Sequence, residues 1–145
     1  MNLSFLRPHF FTIHTDGAIR PAQGVSGLSA VVRDEKGRII HLWSKRDQGM
    51  TCNEAEYAAA IMALEKVSVL RMSPNTLKVY SDSQVLVHQM SGKASARAPG
   101  LRQAQMRLRG LVARFEEVTF HHIPREQNRL ADALANEAAD GKENP

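Results

Sequence analysis

The chain has 145 residues, of which 43% are hydrophobic, and this length is enough for one domain with a core of its own. Its formal net charge of +4 is mildly basic and favours a polyanionic partner, while its single cysteine excludes an internal disulfide and is typical of a reducing compartment. No apolar run approaches the roughly 20 residues of a membrane span, and residues 1–10 lack the long apolar region of a signal peptide, so we expect a cytoplasmic protein without a membrane partner.

Three strands are predicted in the first third of the chain. Residues 10–16 form the first, and the turn-rich residues 17–27 separate it from strands at residues 28–33 and 38–45. Between the last two strands, Asp34-Glu35-Lys36-Gly37 is typical of a hairpin turn that ends in glycine. We therefore expect the three strands to form an antiparallel meander.

The rest of the chain alternates helices with strands. The predicted helices are residues 52–70, 83–90, 101–115 and 128–139, and the predicted strands are residues 77–82 and 118–123. This order predicts an α/β fold with a mixed five-stranded sheet, in which two parallel strands joined by right-handed crossovers follow the meander and helices cover both faces. We expect a single domain over residues 1–140 and a disordered tail over residues 141–145.

Four acidic residues lie at or near the ends of four different predicted elements. Asp16 closes the first strand, Asp82 ends the fourth, Glu56 lies in the first turns of a helix and Asp132 lies on the last helix. Sites in such sheets form at the carboxyl ends of strands. Carboxylates that converge raise each other's pKa, and hard cations such as Mg²⁺ keep them ionised. The pattern predicts a metal-binding cluster of the kind that hydrolyses phosphodiesters.

Each acidic residue also has a purely structural interpretation. Asp16 precedes Gly17 and could be a turn aspartate, and Asp82 could be the N-cap of the next helix. Asp132 could lie on a solvated helix face. Four independent accidents explain the set less economically than one cluster does.

Glu54 and Glu56 compete for the helical position in the cluster. Thr51 and Glu54 have the spacing of a capping box, in which Glu54 reaches back to the amide of Thr51. Glu56 instead continues at helical spacing into the apolar stripe of Ala60, Leu64 and Val67. A carboxylate that begins a buried stripe needs a partner. We therefore assign Glu56 to the chemistry and Glu54 to the cap.

Several motifs together resemble the type 1 ribonuclease H family, in its short bacterial and archaeal branch that lacks a basic protrusion. They occur in the family's order and span nearly the whole chain: Thr15-Asp16-Gly17, Thr51-Cys52-Asn53-Glu54-Ala55-Glu56, Tyr80-Ser81-Asp82-Ser83-Gln84, Pro124-Arg125-Glu126-Gln127-Asn128 and Ala131-Asp132-Ala133-Leu134-Ala135. The resemblance implies the same mixed sheet that the order of elements predicts.

The resemblance also implies an activity and a cofactor. The activity is endonucleolytic cleavage of the RNA strand of an RNA–DNA hybrid, which leaves a 3′-hydroxyl and a 5′-phosphate. Asp16, Glu56, Asp82 and Asp132 would be catalytic and would bind two Mg²⁺ ions once substrate is bound, with Mn²⁺ as a substitute and Asp16 as the bridge. We expect no obligate protein partner.

Substrate contacts follow from the same resemblance. The backbone near Gly17 and the side chain of Glu56 would read 2′-hydroxyls, and Asn53 and Gln84 would contact bases or sugars in the minor groove. Thr51 would contact a phosphate of the DNA strand. Asn53 and Gln84 could also be ordinary residues at helix starts.

The chain departs from the family at its substrate-facing rim. Cys52 and Ala22 stand where asparagines of a phosphate pocket often lie, and the loop at residues 124–127 lacks the histidine that many members carry. We interpret His121 and His122, in the preceding strand, as structural. Arg125 in that loop would contact substrate or help product leave, unless it forms only a surface ion pair.

A basic stretch takes the place of the protrusion. Residues 83–115 contain no acidic residue and six cations, which are Lys93, Arg97, Arg102, Arg107, Arg109 and Arg114. They could hold phosphates or form a solvated helix face.

Two other functions remain open at this point, namely a nucleic-acid-binding relative without activity and a nuclease of the same fold with another substrate.

Overall fold

The structure, a computed structural model, describes residues 8–94 and 96–142. Within them, five strands form one sheet, and four α-helices and two short 3₁₀ turns, Pro21–Gln23 and Arg125–Gln127, connect the strands. The strands are β1 (Phe11–Arg20), β2 (Val25–Arg33), β3 (Ile39–Gln48), β4 (Thr76–Ser81) and β5 (Glu117–His122). The helices are α1 (Cys52–Ser68), α2 (Gln84–Met90), α3 (Pro99–Val112) and α4 (Arg129–Ala139).

The sheet has the strand order β3-β2-β1-β4-β5. Strand β2 pairs antiparallel with both β1 and β3, whereas β4 pairs parallel with β1 and β5. This arrangement confirms the predicted α/β fold, with an antiparallel meander and two further parallel strands. Because β1 and β4 are parallel neighbours, their carboxyl ends lie at the same edge of the sheet.

Helices α1 and α4 cover opposite faces of the sheet. Gly17 on β1 contacts α1 at Ala55, and Gly27 on β2 contacts α4 at Ala135 and Ala139. Gly17 pairs with Leu28, and Gly27 pairs with Ala18, so the two contacts involve neighbouring pairs of one ladder. Neighbouring pairs point to opposite faces. The main core lies on the α1 face, where Ile13, Leu64 and Val79 are fully buried.

Residues 17–27 form more strand than we predicted. Strand β1 continues to Arg20 and β2 begins at Val25, so the turn is confined to a short 3₁₀ segment and Gly24. Two of the glycines that indicated a turn, Gly17 and Gly27, instead lie within strands, where they let a helix approach the sheet closely. An ideal Cβ on Gly17 would lie 2.6 Å from the carbonyl carbon of Ala55, so glycine there lets α1 lie directly on β1. The remaining elements lie where they were predicted, with ends that differ by a few residues.

The turn at Asp34–Gly37 is confirmed as a hairpin. The amide of Gly37 donates to the carbonyl of Asp34 at 2.9 Å, and the amide of Asp34 donates to the carbonyl of Arg38 at 3.0 Å. The division into one domain and a disordered tail stays a prediction, because residues 1–7 and 143–145 lie outside the described residues. None of the helices in the described ranges combines the length and apolarity that crossing a membrane requires.

Candidate active site

Three of the predicted carboxylates converge at the carboxyl end of β4, beside the middle of β1. Asp16 therefore lies within its strand and does not close it as predicted, because β1 continues to Arg20. His14 pairs with Tyr80 in the parallel ladder, so Asp16 and Asp82 each lie two residues further along their own strand direction. Helix α1 brings Glu56 to the same place, because Gly17 lets the helix approach β1. One carboxylate oxygen from each of Asp16, Glu56 and Asp82 lies within 4.8 Å of the others. Segments far apart in the sequence thus form one acidic cluster.

Hydrogen bonds orient the two most buried acids. The amide of Gly17 donates to Oδ1 of Asp16 at 3.0 Å and to Oε1 of Glu56 at 3.2 Å. The hydroxyl of Ser81 donates to Oε2 of Glu56 at 3.4 Å. Both oxygens of Glu56 are therefore held, which fixes the direction in which its remaining lone pairs point.

Asp132 lies beside this cluster in the first turn of α4. It lines the same pocket of about 410 Å³ as Asp16, Glu56 and Asp82. Its Oδ1 accepts a hydrogen bond from Nη2 of Arg125 at 3.4 Å. The side chain of Asp132 is about 30% exposed, so it forms the rim of the site while Asp16 and Glu56 form its buried base.

The cluster raises the pKa of its members. Burial is the largest cause of the raised pKa of Asp16, and the charges of Glu56 and Asp82 and the nearby carboxyl of Asp132 raise it further. Burial likewise raises the pKa of Glu56 and of Asp82, although hydrogen bonds from Gly17 and Ser81 oppose the change at Glu56. Without a counterion, the site holds more negative charge than its burial favours.

A hard divalent cation fits this set of donors. Among the described residues, no lysine, arginine or histidine forms an ion pair with Asp16, Glu56 or Asp82. The two arginines in the pocket, Arg20 and Arg125, are paired instead with Asp140 and Asp132. Carboxylate oxygens are the ligands that Mg²⁺ and Mn²⁺ prefer. The residues therefore suit the metal that the sequence predicts.

Replacing Asp16 with asparagine is expected to stabilise the metal-free protein by about 1–2 kcal/mol, because it removes a buried charge from beside two others. The raised pKa of Asp16 means that the folded state favours the protonated acid. Protonated Asp16 therefore contributes fully to the stability of the folded state below the ordinary pKa of an aspartate, and this contribution is lost as the pH rises toward the raised pKa.

The advantage of Asp16→Asn over wild type should thus grow between about pH 5 and about pH 8. Urea unfolding in a chelator at both pH values measures it. Added Mg²⁺ should stabilise the wild type and reverse the order. A variant less stable than wild type without metal at the higher pH would contradict this account.

The structure separates the two candidate glutamates on α1. The amide of Glu54 donates to Oγ1 of Thr51 at 3.2 Å, and the amide of Thr51 donates to Oε1 of Glu54 at 2.9 Å. This reciprocal pair confirms the predicted capping box. Glu54 is thereby engaged at the helix N-terminus, and Glu56 alone of the two lines the pocket.

Only some of the predicted substrate-binding residues line the carboxylate pocket. Gly17 and Arg125 line the pocket. Thr51, Asn53 and Gln84 do not, and lie instead at the N-termini of α1 and α2. Asn53 follows Cys52, which does line the pocket, and Gln84 is exposed two residues after Asp82. These three residues are therefore not part of the lining of the carboxylate pocket.

The two histidines of β5 have different environments. His121 stacks on Tyr80 with ring centroids 4.9 Å apart, and its Nε2 lies 2.7 Å from Oγ1 of Thr119. His122 is exposed, and its positive form lowers the pKa of Asp82.

Ala22 lies exposed in the 3₁₀ turn after β1 and does not line the pocket, whereas Cys52 does.

Three polar residues at or beside the site were not identified as site residues from sequence. Asn128 is buried, and its Nδ2 donates to the carbonyl of Thr15 at 3.0 Å and also interacts with the carboxylate of Asp82, which lowers the pKa of Asp82. Arg20 and Asn136 line the pocket. The available signal was spacing, since Asn128 and Asn136 lie one helical turn before and after Asp132.

All six cations of the basic stretch are exposed, and two of them also contact α1. Nη2 of Arg107 lies 3.0 Å from Oε2 of Glu65, and Nη1 of Arg114 donates to Oγ of Ser68 at 3.3 Å, so both arginines bridge to α1. The side chains of Arg102 and Arg109 on α3 are exposed, as are Lys93 and Arg97 in the preceding loop.

Comparison with known proteins agrees with this geometry. Residues 14–138 match a family described as reverse transcriptase-like. The chain is 34% identical to ribonuclease HI of Halobacterium salinarum over 86% of its own length and 62% of that protein. It is also 31% identical to a ribonuclease H of Mycolicibacterium gilvum, over 85% of this chain and 87% of that protein.

Solved structures share the fold closely. The crystal structure of RNase H1 from Halobacterium salinarum superposes with a TM-score of 0.84 at 33% identity, over 90% of this chain and 98% of that one. LC11-RNase H1, solved in complex with an RNA/DNA hybrid, superposes with a TM-score of 0.81 at 34% identity, over 90% and 96% of the two chains. The chain therefore belongs to the ribonuclease H family, as a reverse transcriptase-like domain.

Proposed function

We propose that this protein is a metal-dependent endoribonuclease that hydrolyses the RNA strand of RNA–DNA hybrids and leaves 3′-hydroxyl and 5′-phosphate ends. The observation that carries the proposal is the convergence of Asp16, Glu56 and Asp82 within 4.8 Å, with Asp132 at the rim of the same pocket. The family and the hybrid-bound relative LC11-RNase H1 support the choice of substrate. A cytoplasmic location agrees with the single cysteine.

The four carboxylates would hold two divalent cations, Mg²⁺ or Mn²⁺, once substrate is bound. Such cations supply an activated water and stabilise the leaving 3′-oxygen. Asp16 would be the central ligand, because one of its carboxylate oxygens lies within 4.8 Å of oxygens of Glu56 and Asp82 and it lines the same pocket as Asp132. A carboxylate in this position would be available to both cations.

The neighbouring residues hold these ligands in place and need not react. Gly17 and Ser81 donate to Glu56 and fix its carboxylate, and Asn128 joins the strand beside Asp16 to the start of the helix that carries Asp132. We assign no side chain as the nucleophile. The role of the protein is therefore to position ligands and the scissile phosphate.

Substrate contacts would surround the pocket. The backbone of Gly17 and the carboxylate of Glu56 would approach a 2′-hydroxyl of the RNA strand, which distinguishes RNA from DNA. Thr51, Asn53 and Gln84, at the N-termini of two helices, would contact the hybrid outside the pocket. The exposed cations of the basic stretch and Arg125 would contribute salt-dependent contacts to phosphates.

The test is cleavage of labelled RNA–DNA hybrid beside double-stranded DNA and double-stranded RNA, in Mg²⁺ or Mn²⁺. We expect cleavage of the hybrid alone, with loss of activity in chelator and in Asp82→Asn, which removes one ligand charge with little change in shape. Binding of the hybrid without cleavage would instead identify a nucleic-acid-binding relative. Cleavage of either other duplex in preference to the hybrid would identify a nuclease with a different substrate.

A further inference from the structure

Arg20 occupies an unusual position between the sheet and the last helix. It ends β1, four residues after Asp16, and its side chain lines the carboxylate pocket. Its Nε donates to Oδ1 of Asp140 at 3.0 Å, and its Nη2 donates to Oδ1 of Asn136 at 2.9 Å and to Oδ2 of Asp140 at 3.3 Å. Its Nη1 donates to the carbonyl of Ile19 at 3.1 Å. The guanidinium is thus fixed at one end to β1 and at the other to α4.

The residues that Arg20 binds lie on the same face of α4 as Asp132. Asp132, Asn136 and Asp140 follow at intervals of four residues, which places them one above another along the helix. Asn136 connects the series directly, because its Nδ2 donates to the carbonyl of Asp132 at 2.8 Å. A movement of Asn136 or Asp140 about the helix axis would therefore move Asp132 as well.

Other contacts of α4 hold the helix close to the sheet. Ser29 donates to the carbonyl of Ala131, and Gly27 lies against the backbone of Ala135 and Ala139. These contacts involve the buried face and set the distance between α4 and the sheet. On the pocket side, Asn128 fixes the start of α4 to Thr15, and Arg20 fixes the part of the helix that follows Asp132. A rotation of about 10° would displace a carboxyl group about 5 Å from the axis by about 1 Å.

We propose that Arg20 is a positioning residue that orients Asp132 toward the carboxylate cluster of Asp16, Glu56 and Asp82. The inference rests on the proposed function only in its use of a divalent cation at this site. Asp132 depends on such support because it lies at the rim, is partly exposed and is also attracted by Arg125. Residues that orient metal ligands without touching the metal typically change affinity by about 10–100-fold when they are replaced.

Binding of Mn²⁺ to the metal-free protein, measured by calorimetry without nucleic acid, tests this role. Arg20→Ala should raise the Kd for Mn²⁺ by about 10-fold. If the charge of Arg20 were the only effect, Arg20→Ala would instead lower the Kd for Mn²⁺, because loss of a nearby positive charge favours cation binding. Arg20→Lys keeps the charge but loses the planar fork, so we expect it to weaken binding to a smaller extent. It also keeps the test decisive if Arg20→Ala fails to fold.

Two further variants complete the experiment. In an Asp132→Asn background, Arg20→Ala should change the Kd by less than about twofold, because a residue that acts through Asp132 has nothing left to orient. Arg38→Ala removes a comparable ion pair with Asp34 at the β2–β3 turn and should leave Mn²⁺ binding unchanged. Hybrid cleavage by Arg20→Ala should recover toward the wild-type rate as Mg²⁺ is raised.

Unchanged or tighter Mn²⁺ binding in Arg20→Ala, or an equal loss in the Asp132→Asn background, would overturn the proposal, as would a wild-type protein that binds no Mn²⁺. If the wild type binds Mn²⁺ but cleaves no hybrid, the proposed function fails while the binding measurements still decide the role of Arg20. The two failures are therefore distinguishable.

Discussion

Glu56→Gln should reduce hybrid cleavage by about a thousandfold or more, which corresponds to about 4 kcal/mol of lost transition-state stabilisation. Glutamine keeps the size of the side chain, its Oε1 can still accept from the amide of Gly17, and its Nε2 can donate to the hydroxyl oxygen of Ser81. It removes the negative charge that a divalent cation requires. The loss should therefore appear in kcat and in metal affinity, with the fold intact by circular dichroism.

Glu54→Gln is the matched control, two residues away on the same helix. Glu54 belongs to the capping box with Thr51, where glutamine can also serve. The variant loses only a negative charge at a helix N-terminus, so we expect near-wild-type cleavage and a loss of about 0.5 kcal/mol in the free energy of unfolding. If Glu54→Gln abolished cleavage and Glu56→Gln did not, our assignment of the helical ligand would be wrong.

Gly27→Ala should destabilise the protein by about 3 kcal/mol or more, because overpacking against rigid atoms forces backbone shifts. An ideal Cβ at this position would lie 2.0 Å from the carbonyl oxygen of Ala135 and 2.5 Å from the amide nitrogen of Ala139. Both are backbone atoms of α4, which cannot turn aside as a flexible side chain can. Urea unfolding measures the loss, and reduced hybrid cleavage should accompany it because α4 carries Asp132.

Gly110→Ala makes the same chemical change where space is free. Gly110 lies within α3, and among the described residues an ideal Cβ there meets no atom within 4 Å apart from the adjoining backbone of the helix itself. Alanine favours helix over glycine, so we expect a gain of about 0.5–1 kcal/mol. Equal effects of the two substitutions would show that the contact between β2 and α4 does not explain the glycine at position 27.

Local patterns in the sequence determined much of this protein. Capping-box spacing and the apolar stripe distinguished Glu54 from Glu56, and the order of strands and helices predicted the mixed sheet. These features depend on helical and strand periodicities, which extend over only a few residues. The position of Asp82 directly after β4 was predictable for the same reason, whereas Asp16 lies within β1, which continues to Arg20, and not at its end.

The tertiary structure alone decided the features that depend on distant segments. Gly17 and Gly27 resemble turn residues in the sequence, yet they lie within strands. Glycine is needed there because helices from elsewhere in the chain lie directly against them. Arg20 and Asp140 are separated by 120 positions, and no local period connects them. Asn128 likewise reaches Thr15, 113 positions earlier. The sequence by itself determined which residues carry the charge, whereas packing of α1 and α4 on opposite faces of the sheet decided how those charges meet.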